Sequence, residues 1–175
     1  MLDLKMYSLL SYLVAEKRYL LVDAYNVIHA VEDWCRVLTN EGADCARDQL
    51  AERVVSIHDA EGIQTVLVFD SRGESLEVDY PFGKKTFECV YAPAKLSADG
   101  VIERLVTGIS KPAHVTVASN DNMVRESARV NGAIAISAED LLDWICASER
   151  QLIQDVERRR KANEKAWRHG IDFNF

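Results

Sequence analysis

Asp23 closes the apolar run of residues 19–23 (Y-L-L-V-D), and Asp70 closes residues 65–70 (T-V-L-V-F-D). Asp121 follows a third such run, residues 115–119 (V-T-V-A-S), after one intervening asparagine. A fourth acid, Asp99, stands two positions after Ser97, where a helix is expected to begin. Short continuous apolar runs suit strands buried on both faces of a parallel sheet. Ligands of such sheets sit outside the carboxyl ends of the strands. Acids far apart in the chain therefore converge. Clustered carboxylates raise one another's pKa values unless a cation neutralises them. Mg²⁺ or Mn²⁺ takes oxygen ligands, keeps water for chemistry, and stabilises charge on phosphodiester oxygens.

Each acid also has a purely structural account. Asp23 can start a turn, and Asp70 can cap the loop before Ser71-Arg72-Gly73. Asp99 favours a helix N-terminus, and Asp121 between Asn120 and Asn122 suits turn chemistry. Repetition of the same placement at successive strand ends outweighs these accounts for the set.

The elements that must position the acids alternate along the chain. Residues 44–60 form an amphipathic pattern with Leu50, Val54, Ile57 and Val55 inward, and residues 85–91 alternate like a strand. Residues 97–107 predict a helix capped by Ser97, and a further helix runs from Asp121 through Val130. Residues 133–136 predict a strand, and residues 138–146 a helix opened by Ser137. This alternation predicts an α/β fold with parallel crossovers and a central, mainly parallel sheet of about five strands. Past Ala147 the chain turns charged, with the basic run Arg158-Arg159-Arg160-Lys161, which predicts a C-terminal helix. The organisation expected is an N-terminal helical extension (1–18), one domain (19–150), and a basic C-terminal helix and tail (151–175).

With 175 residues, 48% of them hydrophobic, the chain can bury one full α/β core. The net charge of −7 counts against a passive binder with a broad basic face, because phosphate contacts come from Lys and Arg. Four cysteines lack any C-x-x-C pair, which argues against a zinc site and for buried free thiols in a reducing cytoplasm. The apolar stretch 6–15 is too short to span a bilayer and lacks signal-peptide flanks, so a cytoplasmic location is expected. The four histidines have no metal-ligand spacing.

In order, the motifs resemble the YacP-like NYN domains, relatives of the PIN nucleases. Leu21-Val22-Asp23-Ala24-Tyr25-Asn26 resembles the family's opening strand and turn, and Val68-Phe69-Asp70 its second acidic strand end. Ser97-Ala98-Asp99 with Glu103 resembles the helix-borne acid motif, Ser119-Asn120-Asp121 the fourth element, and Ser137-Ala138-Glu139-Asp140-Leu141-Leu142 the closing helix. The resemblance covers about residues 19–150. It implies a PIN-like three-layer α/β/α domain and a Mg²⁺- or Mn²⁺-dependent endoribonuclease, with some relatives linked to translation. Asp23, Asp70, Asp99 and Asp121 become the metal-site carboxylates, and Asn26 orients Asp23 or a phosphate oxygen. Glu103 lies one helical turn from Asp99 and ranks below the aspartates.

Around an otherwise negative pocket, Arg72, Lys95, Asn122 and Arg125 are the candidates for phosphate contact, with Lys84 and Lys85 further off in sequence. Tyr25 has a base-stacking reading and a commoner core reading. The run 158–161 has an RNA or ribosome reading and the commoner reading of a solvated face. The expected partners are RNA, in particular mRNA, and the ribosome, with no membrane. The main alternative is a non-catalytic RNA- or ribosome-binding module of the same fold. An aspartyl-phosphate phosphatase needs a second acid two residues after the first, where this chain has Tyr25. A nucleotide-binding fold lacks its glycine-rich loop and Walker lysine.

Overall fold

The computed structural model describes residues 17–71 and 73–170. Arg72 and most of the expected N-terminal extension lie outside the described residues. In chain order the elements are β1 (Tyr19–Asp23), α1 (Ala24–Ala30), α2 (Glu32–Asn40), α3 (Ala43–Glu61), β2 (Gln64–Asp70), β3 (Glu77–Asp79) and β4 (Phe87–Ala92). They continue with α4 (Ala98–Gly108), a 3₁₀ turn (Pro112–His114), β5 (Val115–Ala118), α5 (Asn122–Val130), β6 (Ile134–Ile136) and α6 (Ala138–Gly170).

The strand order is β3-β4-β2-β1-β5-β6, with every pairing parallel except β3 against β4. β1 is the most enclosed strand, because it is flanked on both sides and covered on both faces. Leu20 and Val22 point into a core shared with α1, α2, α3 and α6, while Leu21 points into a second core with α4 and α5. That alternation is the period-2 geometry of a strand, and it explains why the run has no polar position before Asp23. The result is the expected three-layer α/β/α arrangement.

The face with α1, α2, α3 and α6 packs aliphatic residues around Trp34, Phe69 and Phe87, and the other face is aliphatic. Leu50, Val54 and Ile57 of α3 are fully buried, as expected, whereas Val55 is only half-buried at the margin of that core. Truncating Leu50 to Ala would cost about 2–5 kcal/mol, the usual range for a large-to-small core change. α3 ends at Gly62, whose φ of +66° is the left-handed conformation that closes a helix, with its N–H bonded to the His58 carbonyl at 2.9 Å.

Three features differ from the sequence expectation. The sheet has six strands rather than about five, because β3 adds a short, fully exposed antiparallel edge with almost no apolar signal. Residues 24–40 form two helices that the apolar pattern did not resolve. The change in composition at Ala147 marks no break, since α6 runs unbroken from Ala138 to Gly170 and passes through the boundary expected at 150. No Gly or Pro interrupts that stretch before Gly170. All four cysteines are free, but only Cys89 is buried; Cys45 and Cys146 are exposed.

Candidate active site

The topology makes one crevice special. From β1 the chain builds outward through α3 to β2 and β4, then crosses back by α4 on the other face to β5. Between the carboxyl ends of β1 and β5 the connections diverge to opposite faces. This is where parallel sheets place their ligands.

Asp23 sits at that point, only 5% exposed. Its Oδ2 accepts a hydrogen bond from Ser119 Oγ at 2.9 Å, and Ser119 is fully buried at the end of β5. The same Oγ accepts the Asp121 N–H at 3.0 Å, so one hydroxyl ties the first acid to the backbone of the fourth. Asp121 in turn caps α5, its Oδ1 accepting the Met123 N–H at 2.7 Å. On the other side, Asp70 Oδ1 accepts the Ala98 N–H at 2.8 Å and so anchors the start of the helix that carries Asp99. Ser97 caps that helix as expected, accepting from Gly100 N.

Asp23 and Asp99 feel the charges of the acids around them. Burial is the largest cause that pushes Asp23 up to about 6; Ser119 opposes it, and the charges of Asp99 and Asp70 add to it. Asp99 is also raised, first by desolvation and then by Asp121 and Asp70. The sequence-predicted acids are therefore one electrostatic group assembled from four separate segments. Desolvation without a compensating cation is an unfavourable state for a buried carboxylate.

The remaining predicted residues divide. Asn26 is half-buried, and its Oδ1 accepts the Asn120 N–H at 2.7 Å, which fixes the loop before Asp121 to the start of α1. Asn122 accepts from the Arg125 guanidinium across one helical turn. Arg125 keeps its Nε buried with no hydrogen-bond partner among the described residues, and it lowers the pKa of Asp140 at the start of α6, behind the Ser137 bonds. Lys95 is exposed on the loop leading to α4, and Glu103 is exposed one turn beyond Asp99. Lys84 and Lys85 lie before β4, at the opposite end of the sheet, and Lys84 is paired with Asp59 at 2.6 Å. Tyr25 packs edge-on against Phe69, the core role. The run 158–161 is an exposed helical face in which Arg158 pairs with Asp155 and Arg160 with Glu164.

Two residues were not singled out by sequence reasoning. Ser119 stood in the fourth motif only as company for Asp121, with no role of its own. Asn120 read as a mere flank to Asp121, yet its Oδ1 accepts the Ala138 N–H at 2.8 Å and locks the first turn of α6 to the site.

The sequence profile of the YacP-like NYN domain matches residues 20–174. The chain belongs to the YacP-like NYN domain family. The family is one of PIN-like nucleases acting on RNA. Among solved structures, this NYN domain is similar to Rae1 (YacP) from Bacillus subtilis. A tryptophan-to-leucine mutant of that protein is 25% identical with a TM-score of 0.66, covering 82% of this chain and 84% of that one. Another structure of Rae1 (YacP) is 24% identical with a TM-score of 0.66, covering 87% and 89%. No curated protein matches the chain. Among the described residues, no helix of this NYN domain is long and apolar enough to cross a membrane.

All the candidate donors of the NYN site are carboxylate oxygens, the ligand type of hard divalent cations. Among the described residues, however, no three His, Cys, Asp or Glu side chains converge closely enough to cage an ion between them. The arrangement suits an ion that keeps most of its own waters. Mg²⁺ does so, and it is commonly held by one or two carboxylates only.

Proposed function

We propose that this NYN domain is a divalent-cation-dependent endoribonuclease whose site is the group Asp23, Asp70, Asp99 and Asp121. The observation that carries the reading is Asp23, a carboxylate buried at the β1–β5 crevice and pushed up to about 6 by burial and by neighbouring acids. Such a group is costly to hold for structure alone. A cation removes the cost.

Bound there, Mg²⁺ or Mn²⁺ supplies a water of lowered pKa and stabilises charge on the phosphoryl oxygens. Asp23 and Asp121 would hold the cation through oxygen, and Asp70 and Asp99 would complete its surroundings or those of a second ion. Ser119 donates to Asp23 and accepts from Asp121 N, so it favours the ionised acid and fixes the spacing of the pair. Asn26 positions Asp121 through the Asn120 backbone. Lys95, Asn122 and Arg125, which border the carboxylate group, would contact the phosphates of the RNA; Arg72, the fourth candidate for that role, lies outside the described residues. Hydrolysis by water, rather than attack by the 2′-hydroxyl, leaves 5′-phosphate and 3′-hydroxyl ends.

The substrate proposed is mRNA, with the ribosome as the partner that presents it. Support comes from charge: at −7 overall, the chain has no large electrostatic pull on naked RNA. The test is cleavage of a labelled RNA pool, naked and on translating ribosomes, with Mg²⁺ or Mn²⁺ and with EDTA. Metal-dependent cutting that disappears in Asp23→Asn supports the proposal. Binding to ribosomes without cutting in either setting would favour the non-catalytic module.

A further inference from the structure

Beside the carboxylate group, a groove of about 270 Å³ runs between α4 and α5, and Asp99 lines both. Its floor is apolar, made by Ile102 and Val106 of α4 and by Val124 and Ala128 of α5. Its rim is polar, with Glu103 on one side and Ser127 and Asn131 on the other. Met123 stands at the mouth and is 80% exposed, although it sits in the first turn of a helix whose inner face is packed.

The chemistry of the lining selects the ligand. Two carboxylates, Asp99 and Glu103, oppose a phosphate or any other anion in the groove. An apolar floor opposes a fully hydrated cation. Small-molecule sites usually hold about 300–1,000 Å³, so this groove takes a fragment and not a large ligand. What fits is a neutral planar ring with hydrogen-bond donors on its edge. A thioether at the mouth complements that choice, because methionine sulfur packs well against aromatic rings.

We infer that the α4–α5 groove receives one nucleobase of the RNA, next to the phosphate held at the carboxylates, and that Glu103 reads its edge. The identity of the ligand rests on the nuclease reading above; the groove itself does not. An ionised Glu is an acceptor only, and carboxylates take hydrogen bonds from the exocyclic amino group of cytosine. Adenine and guanine also carry an amino group, whereas uracil has none. Glu103 thus sets a preference for an amino-bearing base over uracil at this position, and Met123 covers the ring face.

The test reads binding and cutting separately. The Met123 methyl resonance, assigned with Met123→Leu, is followed in ¹³C-methionine-labelled protein during titration with cytidine, guanosine, adenosine and uridine, which carry no phosphate. The methyl is expected to shift with the first three and much less with uridine, and to stay still in Ser127→Trp, which fills the groove. Cleavage of RNAs that differ only in the base beside the cut should favour amino-bearing bases by about 5- to 100-fold. Glu103→Gln, whose amide both donates and accepts, should flatten that ratio. A methyl that moves with no nucleoside, or moves equally in Ser127→Trp, overturns the inference even if RNA is cut. A methyl that moves as described while no RNA is cut keeps the base pocket and removes the nuclease reading instead.

Discussion

The two ends of the central sheet treat charge in opposite ways. At the amino-terminal end, Lys84 binds both oxygens of Asp59 and His58 bridges Asp59 to Thr86. Nearby, Glu61 is held by Arg18 and by the Trp144 indole. Asp59 there is lowered; slight burial opposes the shift, and the Lys84 and His58 hydrogen bonds and charges prevail. In the carboxylate group beyond β1, β2 and β5 the shifts have the other sign: Asp23 and Asp99 are raised, and their neighbours are more acids; Asp140, beyond β6, is lowered by its Ser137 bonds and lies outside that group. One end is neutralised by its own side chains. The other is left for something that arrives, and its polar bonds fix backbone and spacing rather than cancel charge.

The largest effect that could break this contrast is in activity. Asp23→Asn should reduce RNA cleavage by at least about 100-fold, above the upper range for loss of a residue that merely supports a metal ligand. Initial rates on an end-labelled RNA at saturating Mn²⁺ provide the check. Next is Ser119→Ala. It leaves the part-buried Asp121 N–H and the buried Asp23 without their shared hydroxyl, so about 1–3 kcal/mol of stability should be lost and cleavage should fall about 10- to 100-fold. Urea unfolding and the same rate assay measure the two parts.

A third prediction concerns pH in metal-free protein. The Asp23 pKa is raised from 3.8 to about 6 by folding. Between these values the folded state binds the extra proton, so stability falls as pH rises from about 4 to 6 and stays reduced above. The full cost is roughly 3 kcal/mol by the usual conversion of about 1.4 kcal/mol per pKa unit. Asp23→Asn should abolish most of that slope, and it should make the EDTA-treated protein more stable at pH 7.5 than wild type. Unfolding midpoints from pH 4 to 8 would expose an error in sign. The smallest effect belongs to the other end of the sheet. Lys84→Met removes a partly exposed ion pair and should cost no more than about 1 kcal/mol, with cleavage unchanged. A large loss of activity there would erase the distinction between the two ends.

Much of this was legible because β1, β2 and β5 are buried on both faces and announce themselves as continuous apolar runs. Each then delivers an acid at or just beyond its carboxyl end. What the sequence concealed has physical reasons. β3 is an exposed edge of three residues, Glu77-Val78-Asp79, with nothing to bury. α1 follows β1 without a loop, so no turn residue marks its start, and Asp23 serves as both strand end and helix flank. α2 has a short stripe, Trp34 with the partly buried Val37 and Leu38, in a helix of nine residues. Ser119 and Asn120 act through partners 96 and 94 residues away in sequence, Asp23 and Asn26. Local spacing holds no record of such pairings.

We propose the carboxyl end of the sheet as a cation site for RNA hydrolysis. The most direct test is Mn²⁺ binding followed by electron paramagnetic resonance at pH 7.5, with RNA cleavage read from the same samples. Wild type is expected to capture Mn²⁺ and to cut over the same concentration range, and Asp23→Asn to lose both. Cutting that persists in Asp23→Asn, or that proceeds fully in EDTA, would contradict the proposal.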